Sequence, residues 1–302
     1  MIEEPYRWVE AIANRREYIE AQLAPGSPIA ALGYRDGILF VTLGQTRQKI
    51  FEIYDRIAMG AIGHPGDIER LRMAAIELAS TEGFTRSATD VSLRRLVHYS
   101  LSPAMKSAFE QVYGAPYLAR MLFAEVGDRP NEDLFLRVEY DGEITTSGAT
   151  YAQARQDFAA LSGTQLSREL MEAFLATQHA PDATLEAALN SALDAWSIGH
   201  MTLQTGDTKE PPQHAAVRKH RQEQLANAGI EAALLERGGS RAIRYRSLPD
   251  KELRPLIRDL YMGKDHCPDV TCETASEYPG SLGLVADDGV FRLDAVSPDG
   301  KS

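Results

Sequence analysis

The stretch from Ser27 to Val41, Ser-Pro-Ile-Ala-Ala-Leu-Gly-Tyr-Arg-Asp-Gly-Ile-Leu-Phe-Val, carries the strongest structural signal in the sequence. Two apolar runs, 28–34 and 38–43, flank Asp36-Gly37. An Asp-Gly pair between apolar runs is a strong signal for a β-hairpin, because both residues tolerate the backbone angles of a tight turn. The stretch therefore predicts a hairpin.

A second hairpin is predicted immediately afterwards. The runs 48–53 and 56–62 flank Tyr54-Asp55. The part Ile57-Ala-Met-Gly-Ala-Ile carries no polar side chain, which is typical of a strand covered on both faces. The strands of this hairpin should therefore lie between two layers of other elements.

Helical periodicity before and after the hairpins predicts helices. The first covers 5–23 and ends before Pro25-Gly26. Pro103 should kink the helix predicted at 92–112 or end its first half, because proline removes a helical hydrogen bond. After the hairpins we predict helices at 67–79 and 92–112, strands at 117–126, 134–140 and 143–146, helices at 165–177 and 184–196, strands at 230–236 and 241–246, and a helix at 249–261.

This order of elements indicates the fold class. Hairpins dominate it and the helices arrive in pairs, which favours antiparallel sheets over alternating strand-helix units. Two stacked antiparallel sheets, each covered by a helix pair on its outer face, would bury both the apolar strands and the amphipathic helices. We therefore predict an α+β fold, a four-layer αββα sandwich with the N-terminal helix 5–23 added to it.

Two segments are predicted to lie outside this sandwich. A polar insertion at about 199–228 contains the basic run Arg218, Lys219, His220 and Arg221 and is interpreted as a solvated insertion with some helix, or alternatively as an anion or partner contact. Beyond the 1–261 domain, the acidic segment 262–302 is rich in Gly, Pro and Ser and is predicted to be a mobile tail, with room for a small hairpin around Asp287-Asp288-Gly289.

Composition excludes several classes of partner. The 302 residues carry a net charge of −11, so the molecule as a whole is repelled by nucleic acid and by anionic lipid. No window approaches the run of about 20 apolar residues that spans a bilayer, and the start lacks the pattern of a secretory signal. The two cysteines are too few for a disulfide framework. We expect a cytoplasmic protein without nucleic-acid or membrane partners.

Motifs for metal, nucleotide or acyl-transfer chemistry are missing. The seven histidines show no His-Glu-x-x-His spacing, and His266, Cys267 and Cys272 are too few for a closed zinc site. The glycines from Gly60 to Gly66 have the wrong spacing for a dinucleotide fingerprint, and neither a phosphate-binding loop nor a nucleophile elbow occurs. No metal and no cofactor are predicted.

Gly26-Ser27 precedes the first predicted strand of the sandwich. A hydrolase with an N-terminal nucleophile needs Ser, Thr or Cys there, released by cleavage after the preceding residue, because the new α-amino group then acts as base for its own hydroxyl. The alternative interpretation is a helix-ending glycine followed by a turn.

The layer order and this position point to one superfamily. The stretch from Ser27 to Val41, the stretch Lys49-Ile-Phe-Glu-Ile-Tyr-Asp-Arg-Ile-Ala-Met-Gly-Ala-Ile-Gly, and residues 67–72 resemble a proteasome subunit of the N-terminal nucleophile (Ntn) hydrolase superfamily. The resemblance is closer to the α-type than to the β-type, and closest to the bacterial α-type. It covers roughly 5–261, while the insertion matches poorly and the tail is not covered.

The resemblance sharpens the catalytic question. Ser27 occupies the position of the β-type nucleophilic threonine, and Lys49 that of the lysine near it. Leu43 stands where catalytic subunits keep the aspartate that orients this lysine, and the following loop is shorter. Loss of the orienting group argues against catalysis on this chain. An autoprocessed hydrolase that uses Ser27 with Lys49 remains the alternative.

The resemblance also implies a docking pocket and a gate. In α-type subunits the lysine matching Lys49 pairs with the C-terminal carboxylate of an activator, and the glycine matching Gly63 lines the same pocket. His64 is expected to line it too. The other interpretation of Lys49 is a surface charge at a strand start. The gate would be Met1, Ile2, Glu3, Glu4 and Pro5.

The function implied by the resemblance is that of a non-catalytic α-type subunit of a bacterial proteasome-like core particle. The expected partners are further copies of this chain in a heptameric ring, β-type subunits, an ATPase ring activator, and unfolded or tagged protein substrates. A ring-forming scaffold unrelated to proteolysis is a third possibility.

Overall fold

The structure is a computed structural model that describes residues 5–44, 47–111, 114–147, 157–206, 210–238 and 243–257. The predicted gate residues 1–4 and the predicted tail 262–302 lie outside the described residues.

The predicted elements occur in the predicted order, with one further strand before the second helix pair and one further helix after it. The helices are α1 (Pro5–Leu23), α2 (Pro65–Thr85), α3 (Leu93–Leu96), α4 (Ser102–Glu110), α5 (Gln165–Gln178), α6 (Leu185–Thr205), α7 (His214–Asn227) and α8 (Asp250–Leu253). The strands are β1 (Ile29–Tyr34), β2 (Gly37–Gly44), β3 (Ile50–Tyr54), β4 (Ile57–Gly63), β5 (Ala119–Glu125), β6 (Leu134–Val138), β7 (Ile144–Ser147), β8 (Phe158–Leu161), β9 (Gly229–Glu236) and β10 (Tyr245–Ser247).

The strands form two five-stranded sheets in the orders β10-β9-β2-β1-β8 and β3-β4-β5-β6-β7. All neighbouring strands are antiparallel. The predicted first hairpin joins β1 to β2, with Tyr34 opposite Gly37. Gly37 has φ of +154°, and a Cβ there would lie 2.0 Å from the Leu235 carbonyl oxygen, so the turn requires glycine.

Three buried clusters define four layers, and the predicted αββα sandwich is confirmed. Alternate residues of β1 face opposite ways, because successive side chains of a strand point to opposite faces. Ile29 and Ala31 enter the cluster between the sheets, and Ala30 and Leu32 enter the cluster under α5 and α6. A third cluster joins the outer face of β4 and β5 to α2, α3 and α4.

The structure differs from the sequence prediction in four elements. Of the helix predicted at 249–261, the described residues up to Ile257 contain only α8 and a 3₁₀ turn, Arg254–Leu256. The strand β8 was not predicted. The helix predicted at 92–112 is broken, as Pro103 led us to expect, but the break lies before the proline: a π-helical turn, Val97–Leu101, separates α3 from α4, and Pro103 stands in the first turn of α4. The segment 199–228 is part of the fold, because α6 continues to Thr205 and α7 follows it.

Helix α7 packs on α6 through buried polar groups. Arg221 donates to the Asn190 side-chain oxygen at 2.5 Å and to Asp194 at 2.8 Å. His200 Nδ1 lies 2.9 Å from His220 Nε2, and the His200 ring stacks on Trp196. The predicted basic run is therefore not one surface patch, because His220 and Arg221 are buried.

Helix α1 is tied to the sandwich by Arg120 of β5. This buried guanidinium donates to both carboxylate oxygens of Glu20 on α1, to Glu139, and to the Gly163 carbonyl oxygen, each at 2.6 Å. Tyr140 donates a further hydrogen bond to Glu20 at 2.9 Å. One arginine thus connects the N-terminal helix to strands of the second sheet and to the loop after β8.

Replacing Arg120 with Met should lower the free energy of unfolding by about 2–4 kcal/mol, because it leaves carboxylates without their cation in a partly buried site. The measurement is urea denaturation of both proteins in the same oligomeric state. Arg16→Met is the matched control, since Arg16 pairs with Asp141 from a position that is 52% exposed, and an ion pair with an exposed partner contributes about 1 kcal/mol or less. An equal loss in the two variants would contradict the anchoring role of Arg120.

His200 should make stability fall as the solution is acidified. Burial, with smaller contributions from His220 and Lys49, lowers the pKa of His200 to about 4. Between that pH and the ordinary pKa near 6.5, the unfolded chain binds a proton that the native chain does not. Stability therefore decreases through this window by up to about 1.4 kcal/mol per pH unit.

The check is urea denaturation at pH 7, 6 and 5 for the native chain and for His200→Phe, which keeps an aromatic ring against Trp196. The variant should show a shallower dependence on pH. Identical slopes would show that His200 does not contribute.

Candidate functional site

A pocket of about 480 Å³ lies beside the start of β1, the start of β3, the end of β4 and the first turns of α2. We call it the Lys49 pocket. Its polar side carries Lys49, Arg47 and Glu69. Its apolar wall is formed by Phe51, Ile62, Pro65 and Ile68, and Ser27 and Gly63 also line it. The structure thus brings together the predicted pair Lys49 and Gly63.

Gly63 shapes the exit of β4 into α2. Its φ is +131°, and a Cβ at this position would lie 2.0 Å from the Leu118 carbonyl oxygen. Any other residue would displace β5, so the turn requires glycine. Asp67 in the first turn of α2 accepts a hydrogen bond from the Leu118 amide at 3.0 Å and fixes the helix start.

Lys49 is half-buried, and its ammonium donates to the Ser27 carbonyl oxygen at 3.3 Å. Burial lowers the pKa of Lys49 to about 8, and the nearby Glu231 carboxylate opposes that shift. Desolvation disfavours the charged form of a lysine, whereas an opposite charge favours it. Lys49 therefore still carries positive charge at neutral pH, in a site where water competes poorly for it.

Glu231 is the residue that the sequence analysis missed. It lies on β9, and its carboxylate accepts the backbone N–H groups of Lys49 and Ile50. The available signal was a single carboxylate within the apolar run from Ile230 to Leu235.

His64 does not belong to the pocket lining found among the described residues. It is the exposed N-cap residue of α2, and its backbone N–H donates to the Leu118 carbonyl oxygen at 2.7 Å. His64, which was expected to line the pocket, therefore lies outside the lining that the structure describes.

Ser27 makes contacts that do not prepare its hydroxyl for attack. The hydroxyl donates to the Leu43 carbonyl oxygen at 3.0 Å, so Leu43 contributes an acceptor through its backbone. The Lys49 ammonium contacts the carbonyl oxygen of Ser27. The amide nitrogen of Ser27 is joined to Gly26, and the chain continues back into α1, whose first residue is the predicted gate residue Pro5.

An ammonium beside an apolar wall suits a carboxylate that is flanked by apolar groups. Within the described part of the chain, no group of three or more His, Cys, Asp or Glu side chains is arranged to hold a metal ion. None of the described helices combines the length and the apolar character that crossing a membrane requires.

Comparison with known proteins identifies the family. No family model matches the chain. The proteasome subunit alpha of a Nocardioides species is 27% identical over 272 residues, which cover 89% of this chain and 94% of that protein. The proteasome subunit alpha of Actinosynnema mirum is 31% identical over 252 residues, or 83% of this chain and 85% of that protein. That of Streptomyces coelicolor is 32% identical over 190 residues, or 62% and 70%. The chain therefore belongs to the proteasome alpha-subunit family.

Proposed function

We propose that this chain is a non-catalytic α-type subunit that forms the outer ring of a proteasome-like core particle, admits substrate through a gate at its N-terminus, and docks an ATPase activator in the Lys49 pocket. The observation that carries the proposal is the pocket itself, in which a half-buried ammonium lies among apolar side chains at the end of β4.

The chemistry of the pocket supports docking of a chain terminus. A peptide α-carboxylate would form a charge-assisted hydrogen bond with Lys49, and such bonds are shorter and stronger than those between neutral groups. The side chain next to that carboxylate would then meet Phe51, Ile62 and Ile68. Capture of a C-terminal carboxylate is a recurring mode of peptide recognition.

The assignment of a non-catalytic role rests on the surroundings of Ser27. A nucleophile is activated by a base that a third group orients, whereas the Ser27 hydroxyl donates to the Leu43 carbonyl oxygen. The lysine at the expected position contacts the Ser27 carbonyl oxygen rather than the hydroxyl. We therefore assign catalysis to β-type partners.

The proposed particle has further components. Copies of this chain would form a ring, which the resemblance gives as heptameric, and this ring would stack on β-type rings. Unfolded or tagged proteins delivered by the ATPase would enter past residues 1–5. Its proposed location is the cytoplasm.

Lys49→Ala should weaken docking of the ATPase ring from the same source organism by about 10- to 100-fold, because one charge-assisted hydrogen bond contributes about 1.5–3 kcal/mol. Binding is measured by surface plasmon resonance on the assembled particle, and native mass spectrometry checks that the assembly is intact. Lys106→Ala, an exposed lysine on α4, is the control. Unchanged docking by an intact Lys49→Ala particle would refute the docking role.

The intact mass of the chain tests its catalytic status. After co-expression with a β-type partner, the residues before Ser27 should remain attached. The Ser27 hydroxyl donates a hydrogen bond to the Leu43 carbonyl oxygen, and Arg120 holds α1 through Glu20. A chain that begins at Ser27, with peptidase activity abolished in Ser27→Ala, would instead establish an autoprocessed hydrolase.

A further inference from the structure

Glu231 connects the two sheets at the backbone of Lys49. It belongs to β9 of the first sheet and contacts the start of β3 in the second. One carboxylate oxygen accepts the Lys49 amide at 3.0 Å and the Ile50 amide at 2.8 Å, and the other accepts the Lys49 amide at 2.9 Å. Two consecutive peptide groups are therefore held by one charged acceptor, and hydrogen bonds to a charged group are the stronger kind.

The position of this contact matters because β3 is the edge strand of its sheet. An edge strand has a strand partner on one side only. At the start of β3, the Lys49 carbonyl oxygen accepts from Ala61 of β4 at 3.0 Å, while the amide nitrogen of Lys49 is bonded to Glu231. Glu231 thus supplies the acceptor for this amide from the other sheet, and the backbone from which the Lys49 side chain leaves is fixed on both of its polar atoms.

The Glu231 carboxylate also favours the charged form of the Lys49 ammonium, because an opposite charge nearby raises the pKa of a lysine. Four titratable or charged groups face Lys49 or share its pocket: Glu231 on β9, His200 on α6, Arg47, and Glu69 on α2. The low pKa of His200 leaves it neutral at pH 7. Glu69 is engaged with Arg72 through two hydrogen bonds at 2.7 and 2.8 Å. The negative charge that acts on Lys49 therefore comes from Glu231.

We propose that Glu231 is a positioning residue of the Lys49 pocket, which holds the start of β3 through its carboxylate and keeps the Lys49 ammonium charged and directed toward the docking carboxylate. This inference rests on the proposed docking function of Lys49. Burial disfavours the charged form of Lys49, and Glu231 opposes that effect, so that Lys49 can still bind an anion.

The first test is the titration of Lys49 itself. Carbon-13 labelling of the lysine side chains, with the Lys49 signal assigned from the spectrum of Lys49→Arg, gives its midpoint by NMR in the native chain, in Glu231→Gln and in Glu236→Gln. Glu236 is the matched control, because it lies on the same strand but pairs with Arg246. We expect a midpoint at about pH 8 in the native chain and in the control, and a lower midpoint in Glu231→Gln.

The second test is the pH dependence of binding. The probe is the fluorescein-labelled peptide Gly-Ser-Gly-Ser-Ala-Ala-Leu with a free C-terminal carboxylate, with the same peptide amidated at its C-terminus as reference. Binding of the free-carboxylate peptide should decline as pH rises through the Lys49 midpoint, and earlier in Glu231→Gln. If the midpoint falls by about one pH unit, as loss of one nearby opposite charge produces, binding at pH 8 weakens about fivefold.

A third readout separates the charge of Glu231 from its hydrogen bonds and guards against a misfolded variant. Glu231→Asp keeps the charge but is too short to hold both amides, so amide hydrogen exchange at Lys49 and Ile50 should accelerate. The Lys49 midpoint should stay closer to the native value in this variant than in Glu231→Gln. A purely structural role would change exchange without moving the midpoint.

The outcomes distinguish this inference from the docking proposal. A Lys49 midpoint that is unchanged in Glu231→Gln overturns the inference, whatever binding shows. A lowered midpoint, together with peptide and ATPase docking that Lys49→Ala leaves intact, would retain the Glu231–Lys49 coupling but refute docking at Lys49.

Discussion

Burial of both sheets on both faces is the constraint on which the rest of the structure depends. The strands β1 and β4 are apolar along nearly their whole length, and each alternates its side chains between the inter-sheet core and a helical layer. Small residues keep the sheets close, since a Cβ at Gly60 would lie 3.2 Å from Ile29. Stacking in this way brings the residues before β1 and the end of β4 to one edge of the sandwich, and the Lys49 pocket forms there.

Ser27 lies at the same edge, directly before β1. Here the chain runs through that position into α1, and Arg120 binds the helix to the second sheet and to the loop after β8. The Ser27 carbonyl oxygen accepts a hydrogen bond from the Lys49 ammonium, and the Ser27 hydroxyl donates one to the Leu43 carbonyl oxygen. Lys49 therefore lies directly beside Ser27, and Glu231 holds the Lys49 backbone from the other sheet.

Sequence patterns predicted most of the fold because the signals were local. The hairpin at Asp36-Gly37 and the four layers follow from turn chemistry and from the periodicity of apolar residues. The strand β8 escaped because it has only the four residues Phe158–Leu161 and pairs with β1, which is distant in sequence. The extension of α6 was not predicted because its stability comes from contacts with α7, including the His200–His220 hydrogen bond.

For the site, the family resemblance indicated Lys49 and Gly63 as members of one pocket. Glu231 could not be predicted in this way, because it contacts a residue 182 positions away in the sequence and no local pattern indicates such a contact.

Electron cryo-microscopy of the particle formed by co-expression with a β-type subunit tests the central claim most directly. The account predicts that this chain occupies the outer rings, with α1 continuous into Ser27 and the Lys49 pocket open toward the outer face. A particle in which this chain forms the inner rings and begins at Ser27 would contradict it.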